Sequence, residues 1–328
     1  MDLSVLDVLP VGTGGSASSA LTDAVALARV ADAAGYTRLW YAEHHGMPNI
    51  ASTSPALLIA HVGPSTSRIR LGAGGVMLPN HVPLRVVEQY RTLEALHPGR
   101  IDLGIGRAAG TDPLTAHALR SFPGEQFASM LAEVLAFDRE SFPGEHPFAR
   151  IAVTPGGVRL PPIWMLGSSG GSARLAGELG LGYAFAGHFS PTPAPSAIAT
   201  YRHSFRPSAS FPSPRVLLAV HALCAETPEE AEELALPALY TLAHIERGQA
   251  APVPTPDEVR ASGFRPERDG RGPMARLLVV GTPDRVRGRL LALAEEAGAD
   301  ELMVMTLTHT PAPRLRSYEL LAEAFRSP

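Results

Sequence analysis

Residues able to do proton and anion chemistry fall at four places in the chain. Glu43-His44-His45 sets a carboxylate beside two imidazoles, and imidazole is the side chain that gains or loses a proton near neutral pH. Arg107 closes an apolar run, where a guanidinium can grip a phosphate through two parallel hydrogen bonds. Gly167-Ser168-Ser169-Gly170-Gly171-Ser172 joins another apolar run to a helical pattern. Free backbone N–H groups at a helix start, the helix dipole and the hydroxyls of Ser169 and Ser172 make an anion site there. Gly74-Gly75, just ahead of Val76, ends a third apolar run and suits backbone that must lie close to something flat or turn unusually.

Each place has a blander use. Glu43, His44 and His45 have the chemistry of metal ligands, but successive strand side chains point to opposite faces, so adjacent histidines do not converge on one ion. The expectation is no metal, one imidazole aimed into a pocket to move a proton, and its neighbours in structural hydrogen bonds. The Ser/Gly loop alone could simply cap a helix, with Arg107 in a surface ion pair and the glycine pair in a plain turn. An arginine and a helix start on neighbouring strand ends would instead form a phosphate cradle.

The elements that must hold these residues alternate. Short apolar runs read as strands at Leu3 to Leu9, Thr37 to Ala42, Ile69 to Ala73, Ile101 to Ile105, Ile163 to Leu166, Tyr183 to Ala186, Val216 to Leu223 and Glu301 to Met305, with helical patterns between them. Parallel strands need such crossovers. Eight runs favour a closed (β/α)8 TIM barrel, an α/β fold with insertion loops, over an open sheet. No Gly-x-Gly-x-x-Gly follows the first strand, which removes the main signal of a dinucleotide-binding sheet. Active sites of such barrels gather at the C-terminal ends of the strands, where all four places fall. Residues 1–328 read as one domain. Two segments break the alternation. His146 to Pro162 is a Pro/Gly-rich excursion, and residues 247–273, rich in Pro, Gly and charge, read as a mobile lid loop over the rim.

Composition excludes several chemistries. All 28 basic residues are arginine, so Schiff-base catalysis, pyridoxal phosphate attachment and a phosphate-loop lysine are ruled out. A single cysteine, Cys224, permits no internal disulfide and reads as a small buried hydrophobe. A net charge of -4 with 18% charged residues gives no basic face for nucleic acid. No signal peptide is evident and no apolar run reaches the ~18 residues of a membrane span, so a cytoplasmic protein is expected.

Leu39 to His45, Leu71 to Pro79 and Pro98 to Arg107, followed by Leu166 to Ser169 and Gly281-Thr282-Pro283-Asp284, resemble the bacterial-luciferase-like flavin monooxygenases, above all the subgroup associated with antibiotic and polyketide pathways. The resemblance spans nearly the whole chain. It implies reduced FMN supplied by a separate flavin reductase, a flavin C4a-hydroperoxide formed with O2, a small organic substrate and a homodimer. By motif position it implies His44 as catalytic acid/base, Glu43 stabilising the pocket behind it, and a non-proline cis peptide at Gly74-Gly75 supporting the flavin ring beside Val76. It further implies Glu88 as a pocket-supporting acid, and Arg107, Gly167, Ser168, Ser169 and Ser172 at the phosphate. Gly106 stands where luciferase has a reactive cysteine and Ser168 where it has an acid, so aldehyde chemistry and light emission do not follow. An F420-dependent hydride-transfer enzyme and a non-catalytic flavin-binding protein on the same scaffold remain alternatives.

Overall fold

A computed structural model of the protein describes residues 1–190, 193–269 and 272–326. Its strands are β1 (Asp2–Asp7), β2 (Arg38–Tyr41), β3 (Arg70–Met77), β4 (Ile101–Gly106), β5 (Ile163–Gly167), β6 (Gly182–Phe185), β7 (Val216–Cys224), β8 (Leu278–Gly281) and β9 (Glu301–Met305). The helices are α1 (Ala17–Ala33), α2 (Pro55–Val62), α3 (Pro83–Leu96), α4 (Pro113–Ala118), α5 (Phe127–Arg139), α6 (Gly170–Glu178), α7 (Ala194–Ser204), α8 (Pro228–Ile245), α9 (Pro256–Ala261), α10 (Pro266–Asp269), α11 (Pro283–Ala297) and α12 (Pro311–Arg326).

Eight strands close a parallel barrel in the order β1, β2, β3, β4, β5, β6, β7, β9 and back to β1. These are the eight expected from the alternation. The ninth, β8, pairs only with His221 to Cys224 of β7, above the stretch Val216 to Leu218 that β6 occupies. The sequence reading missed β8 because only four residues form it and it follows a long irregular excursion.

Alternation of side chains along each strand builds two cores. Along β7, Val216, Leu218, Val220, Ala222 and Cys224 pack outward under the helices, while Leu217 and Ala219 join Leu6, Trp40, Trp164 and Met303 inside the barrel. Both faces of each strand are therefore covered, which is why the strands read as near-continuous apolar runs. The helices supply the outer layer from stripes such as Ala20, Ala24, Leu27, Ala28 and Ala31 of α1, spaced three and four apart.

The N-terminal end of the barrel is closed by charge. Arg38 bonds Asp102 at 2.7 Å and Glu301 at 2.7 and 3.0 Å. Arg70 bonds Asp102 at 2.7 Å, Trp40 donates to Asp102 at 3.1 Å, and Ser4 donates to Glu301. Two guanidinium groups, Arg38 buried and Arg70 partly exposed, thus meet two carboxylates that are out of water. Burial works to raise the Asp102 pKa, but Arg38 and Arg70 outweigh it and hold the carboxyl below its ordinary range.

The segment 247–273 departs from the reading as a structureless loop. It carries α9, which a Thr255–Glu258 capping box starts, and α10. Val253, Val259 and Phe264 are buried, the last two against Ala243 of α8, and Val253 bridges Gly12. Thr13 donates to Glu258 at 2.6 Å. Polar composition concealed three well-placed apolar anchors, so the segment docks on α8 and on the loop after β1. Gly270 and Arg271 lie outside the described residues. The excursion His146 to Pro162 holds only a short 3-10 turn at Pro147–Arg150, as its composition suggested. Cys224 is buried and unpaired, and burial pushes its thiol up to about 12. Among the described residues no helix is long and apolar enough to cross a membrane.

Candidate active site

The C-terminal end of the barrel is organised around Glu43. This carboxylate is 1% exposed and accepts from the Met77 amide at 3.0 Å, the Asn80 amide at 3.1 Å, His45 Nε2 at 3.0 Å and His81 Nε2 at 2.9 Å. Burial works to raise its pKa, but bonds from His81, His45 and Asn80 outweigh it and hold it below the ordinary glutamate value. Glu43 therefore ties the end of β2 to the turn after β3.

His44 points elsewhere. Its Nδ1 lies 3.2 Å from the Gly110 carbonyl, which can only accept, so Nδ1 carries the proton. Nε2 is then the free lone pair of the neutral ring, and no described protein group bonds it. Burial is the first cause holding the imidazole below its ordinary pKa. The adjacent histidines lie past the end of β2 and diverge in their partners: His45 bonds Glu43, and His44 bonds the Gly110 carbonyl.

Gly74-Gly75 is a cis peptide, as the resemblance implied. The β3–β4 register shifts across it, with Ala73 opposite Leu103 and Val76 opposite Ile105. Neither position has room for a side chain: a Cβ on Gly74 would lie 2.7 Å from Leu6 Cδ1, and one on Gly75 would lie 2.9 Å from the Gly104 carbonyl. Bare backbone is therefore presented between β2 and β4, with Val76 buried beside it.

Arg107 and the Ser/Gly loop meet through strand register. Ile105 pairs with Met165, so Arg107 leaves β4 at the level of Gly167 on β5, one strand spacing away. Arg107 is exposed, and no ion pair or hydrogen bond joins its side chain to a described residue, which removes its reading as a surface salt bridge. Ser169 is the N-cap of α6 but its hydroxyl makes no capping bond, so the amides of the first turn stay open. Ser172 donates to the Ser169 carbonyl at 2.9 Å, and Gly167 must be glycine because its Cβ would sit 2.0 Å from Ser172 Oγ. Ser168 is half-buried in the same turn.

Glu88 lies on α3, the helix that follows the turn after β3. It pairs with Arg85 on α3 at 3.3 Å. Glu88 is partly buried, and Arg91, three residues on and so on the same face of α3, is fully buried.

Two residues that the sequence reading passed over stand inside the mouth. His221 continues the inward series Leu217, Ala219 on β7 and is 1% exposed. His188 follows the end of β6, and its ring lies 5.7 Å from that of His221, edge to face. Burial, then His221 and His44, drive the His188 pKa well below the ordinary histidine value. His221 was legible as a lone polar residue at an inward position of an apolar strand.

Residues 1–301 match the family model described as luciferase-like monooxygenase, and the chain belongs to that family of flavin-dependent monooxygenases. It is 38% identical over 321 residues to an Escherichia coli luciferase-like monooxygenase, covering 97% of this chain and 95% of that one. It is 40% identical over 330 residues to the Bacillus subtilis protein YwcH, covering 99% of both. Among solved structures, apo-MsnO8 shares 39% identity with a TM-score of 0.89, over 99% of this chain and 97% of that one. A Pseudomonas putida type II Baeyer-Villiger monooxygenase solved with FMN shares the fold, at 23% identity and a TM-score of 0.75, over 99% and 97% of the two chains.

Proposed function

We propose that this protein is the oxygenating component of a two-component system, taking reduced FMN from a separate reductase and inserting one oxygen atom of O2 into a small organic substrate, the other leaving as water as the flavin is oxidised. The observation that carries the reading is the unpaired Arg107 beside an open helix start, at the same barrel end as an unpartnered His44 Nε2. The residues fit FMN. Arg107, the α6 amides and the hydroxyls of Ser169 and Ser172 would hold its phosphate, and the side-chain-free backbone of Gly74 and Gly75 would lie against a flat ring. Bound reduced FMN supplies the two electrons that activate O2. His44 would take or return a proton at Nε2 while Gly110 keeps its other nitrogen protonated. Glu43 would hold the surrounding turn rigid.

The test is binding of FMN, FAD, riboflavin and F420, each oxidised and reduced under anaerobic conditions, followed by admission of air. Selective retention of reduced FMN, with an oxidation rate changed by the protein, is expected. Selective retention of F420, with no effect on aerobic flavin oxidation, would contradict the reading.

A further inference from the structure

The barrel mouth holds two imidazoles that neither the phosphate cradle nor the His44 arrangement uses. His188 Nδ1 and both ring nitrogens of His221 are buried without a full hydrogen-bond partner; the one described protein group that acts on the His221 ring is the Met305 backbone, which favours its protonated form but leaves the ring short of its two bonds. The two rings do not bond each other either: they stand edge to face at 5.7 Å. Buried polar atoms are almost always partnered, and leaving them bare costs stability, so these nitrogens are built to meet a group from outside the chain.

Their chemistry defines that group. Each neutral ring offers one N–H donor and one lone-pair acceptor, and burial pushes the His221 imidazole down to about 4, so the pair carries no charge at neutral pH. A hydroxyl oxygen can accept from one ring and donate to the other, and a carbonyl oxygen can accept from both. A carboxylate would find no cation here to neutralise it. The surroundings are apolar: Met305 pairs with His221 in the β7–β9 register, Ala219 is the inward neighbour below it, and the Phe189 ring stands 4.7 Å from that of His188.

We propose that His188 and His221 are the specificity-determining contacts for substrate, and that they select an apolar, preferably aromatic molecule bearing one neutral hydroxyl or carbonyl oxygen. The proposal rests on the oxygenase reading only in taking the bound molecule as the substrate.

Equilibrium dialysis with naphthalene, 2-naphthol and 2-naphthoate tests it, on the wild-type protein with and without FMN. Wild type should bind 2-naphthol roughly tenfold more tightly than naphthalene, the value of about one well-made hydrogen bond in a buried site, and should bind 2-naphthoate no better than naphthalene. His188→Phe and His221→Phe should each erase the preference for 2-naphthol while leaving naphthalene affinity within a few-fold. His221→Gln, which keeps a donor and an acceptor, should restore part of it. Equal binding of naphthalene and 2-naphthol by wild type would overturn the proposal whatever the variants do, as would tighter binding of 2-naphthoate or a preference that survives both phenylalanine variants. Loss of FMN binding with the naphthol preference intact would overturn the oxygenase reading and leave this one standing.

Discussion

At the floor of the barrel, Arg38, Arg70, Asp102, Glu301, Ser4 and Trp40 satisfy one another in a buried network of two cations and two anions. At the mouth, some 20 Å away by the rise of a six-residue strand at about 3.3 Å per residue, polar groups are as numerous but many are left open: His44 Nε2, the His188 and His221 rings, Arg107, and the first amides of α6. The two ends are made of the same eight strands, so the fold does not dictate the difference. A floor that partners all its charges is a device for holding strands together. A mouth that withholds partners is a device for receiving something else. Glu43 is treated as the floor treats its own, with protein partners on both oxygens, and it ties the end of β2 to the turn after β3.

The comparison is broken most forcefully at the floor. Arg38→Ala leaves buried Glu301 with only the distant, partly exposed Arg215 at 4.0 Å and removes one of the two cations on Asp102, and breaking a buried pair of this kind costs about 3–5 kcal/mol. Urea unfolding should show that loss, while FMN affinity of the protein that remains folded stays within a few-fold of wild type. A large loss of affinity with unchanged stability would mean the two ends do not divide the work as described.

At the mouth, the cost of withheld partners should appear as pH dependence. His221 is held down to about 4 by burial, from an ordinary 6.5. Above 6.5 the ring is neutral in both folded and unfolded chains and nothing is gained or lost. As pH falls below 6.5 the unfolded chain takes up a proton that the native site refuses, so stability declines until about pH 4, by up to ~3 kcal/mol. His221→Phe should flatten the curve over that window. An unchanged curve in the variant would show that His221 titrates normally.

His44→Ala should leave unfolding midpoints and FMN binding near wild type and lower substrate turnover about 10²-fold, the usual share of a general acid or base. Turnover within a few-fold would reduce His44 to a structural role like that of His45.

The floor and the mouth were not equally legible in the sequence. The eight barrel strands could be read because covered parallel strands are apolar on both faces, and the rim residues because strand ends are where such barrels place chemistry. That His44 and His45 do not converge on one point was legible, but which of them stays unbonded to Glu43 is set by the turn after β2, where both lie. The floor network was missed because Arg38, Arg70, Asp102 and Glu301 each sit at or near a strand start and look like ordinary boundary charges; only closure of the ring brings them together. Composition misled over 247–273, where Val253, Val259 and Phe264 are few but all used. His188 was overlooked because it follows the strand proper, where no periodicity marks a direction.

The central claim is that the open mouth is an FMN site with the phosphate at Arg107 and the start of α6. Parallel titrations of reduced FMN and reduced riboflavin against wild type and Arg107→Ala address it directly, since the two ligands differ only in the phosphate. A charge-assisted contact worth about 1.5–3 kcal/mol should make Arg107→Ala weaken FMN binding by roughly 10- to 100-fold. Riboflavin affinity should stay within about twofold. Equal losses for both flavins, or no loss for either, would contradict the assignment.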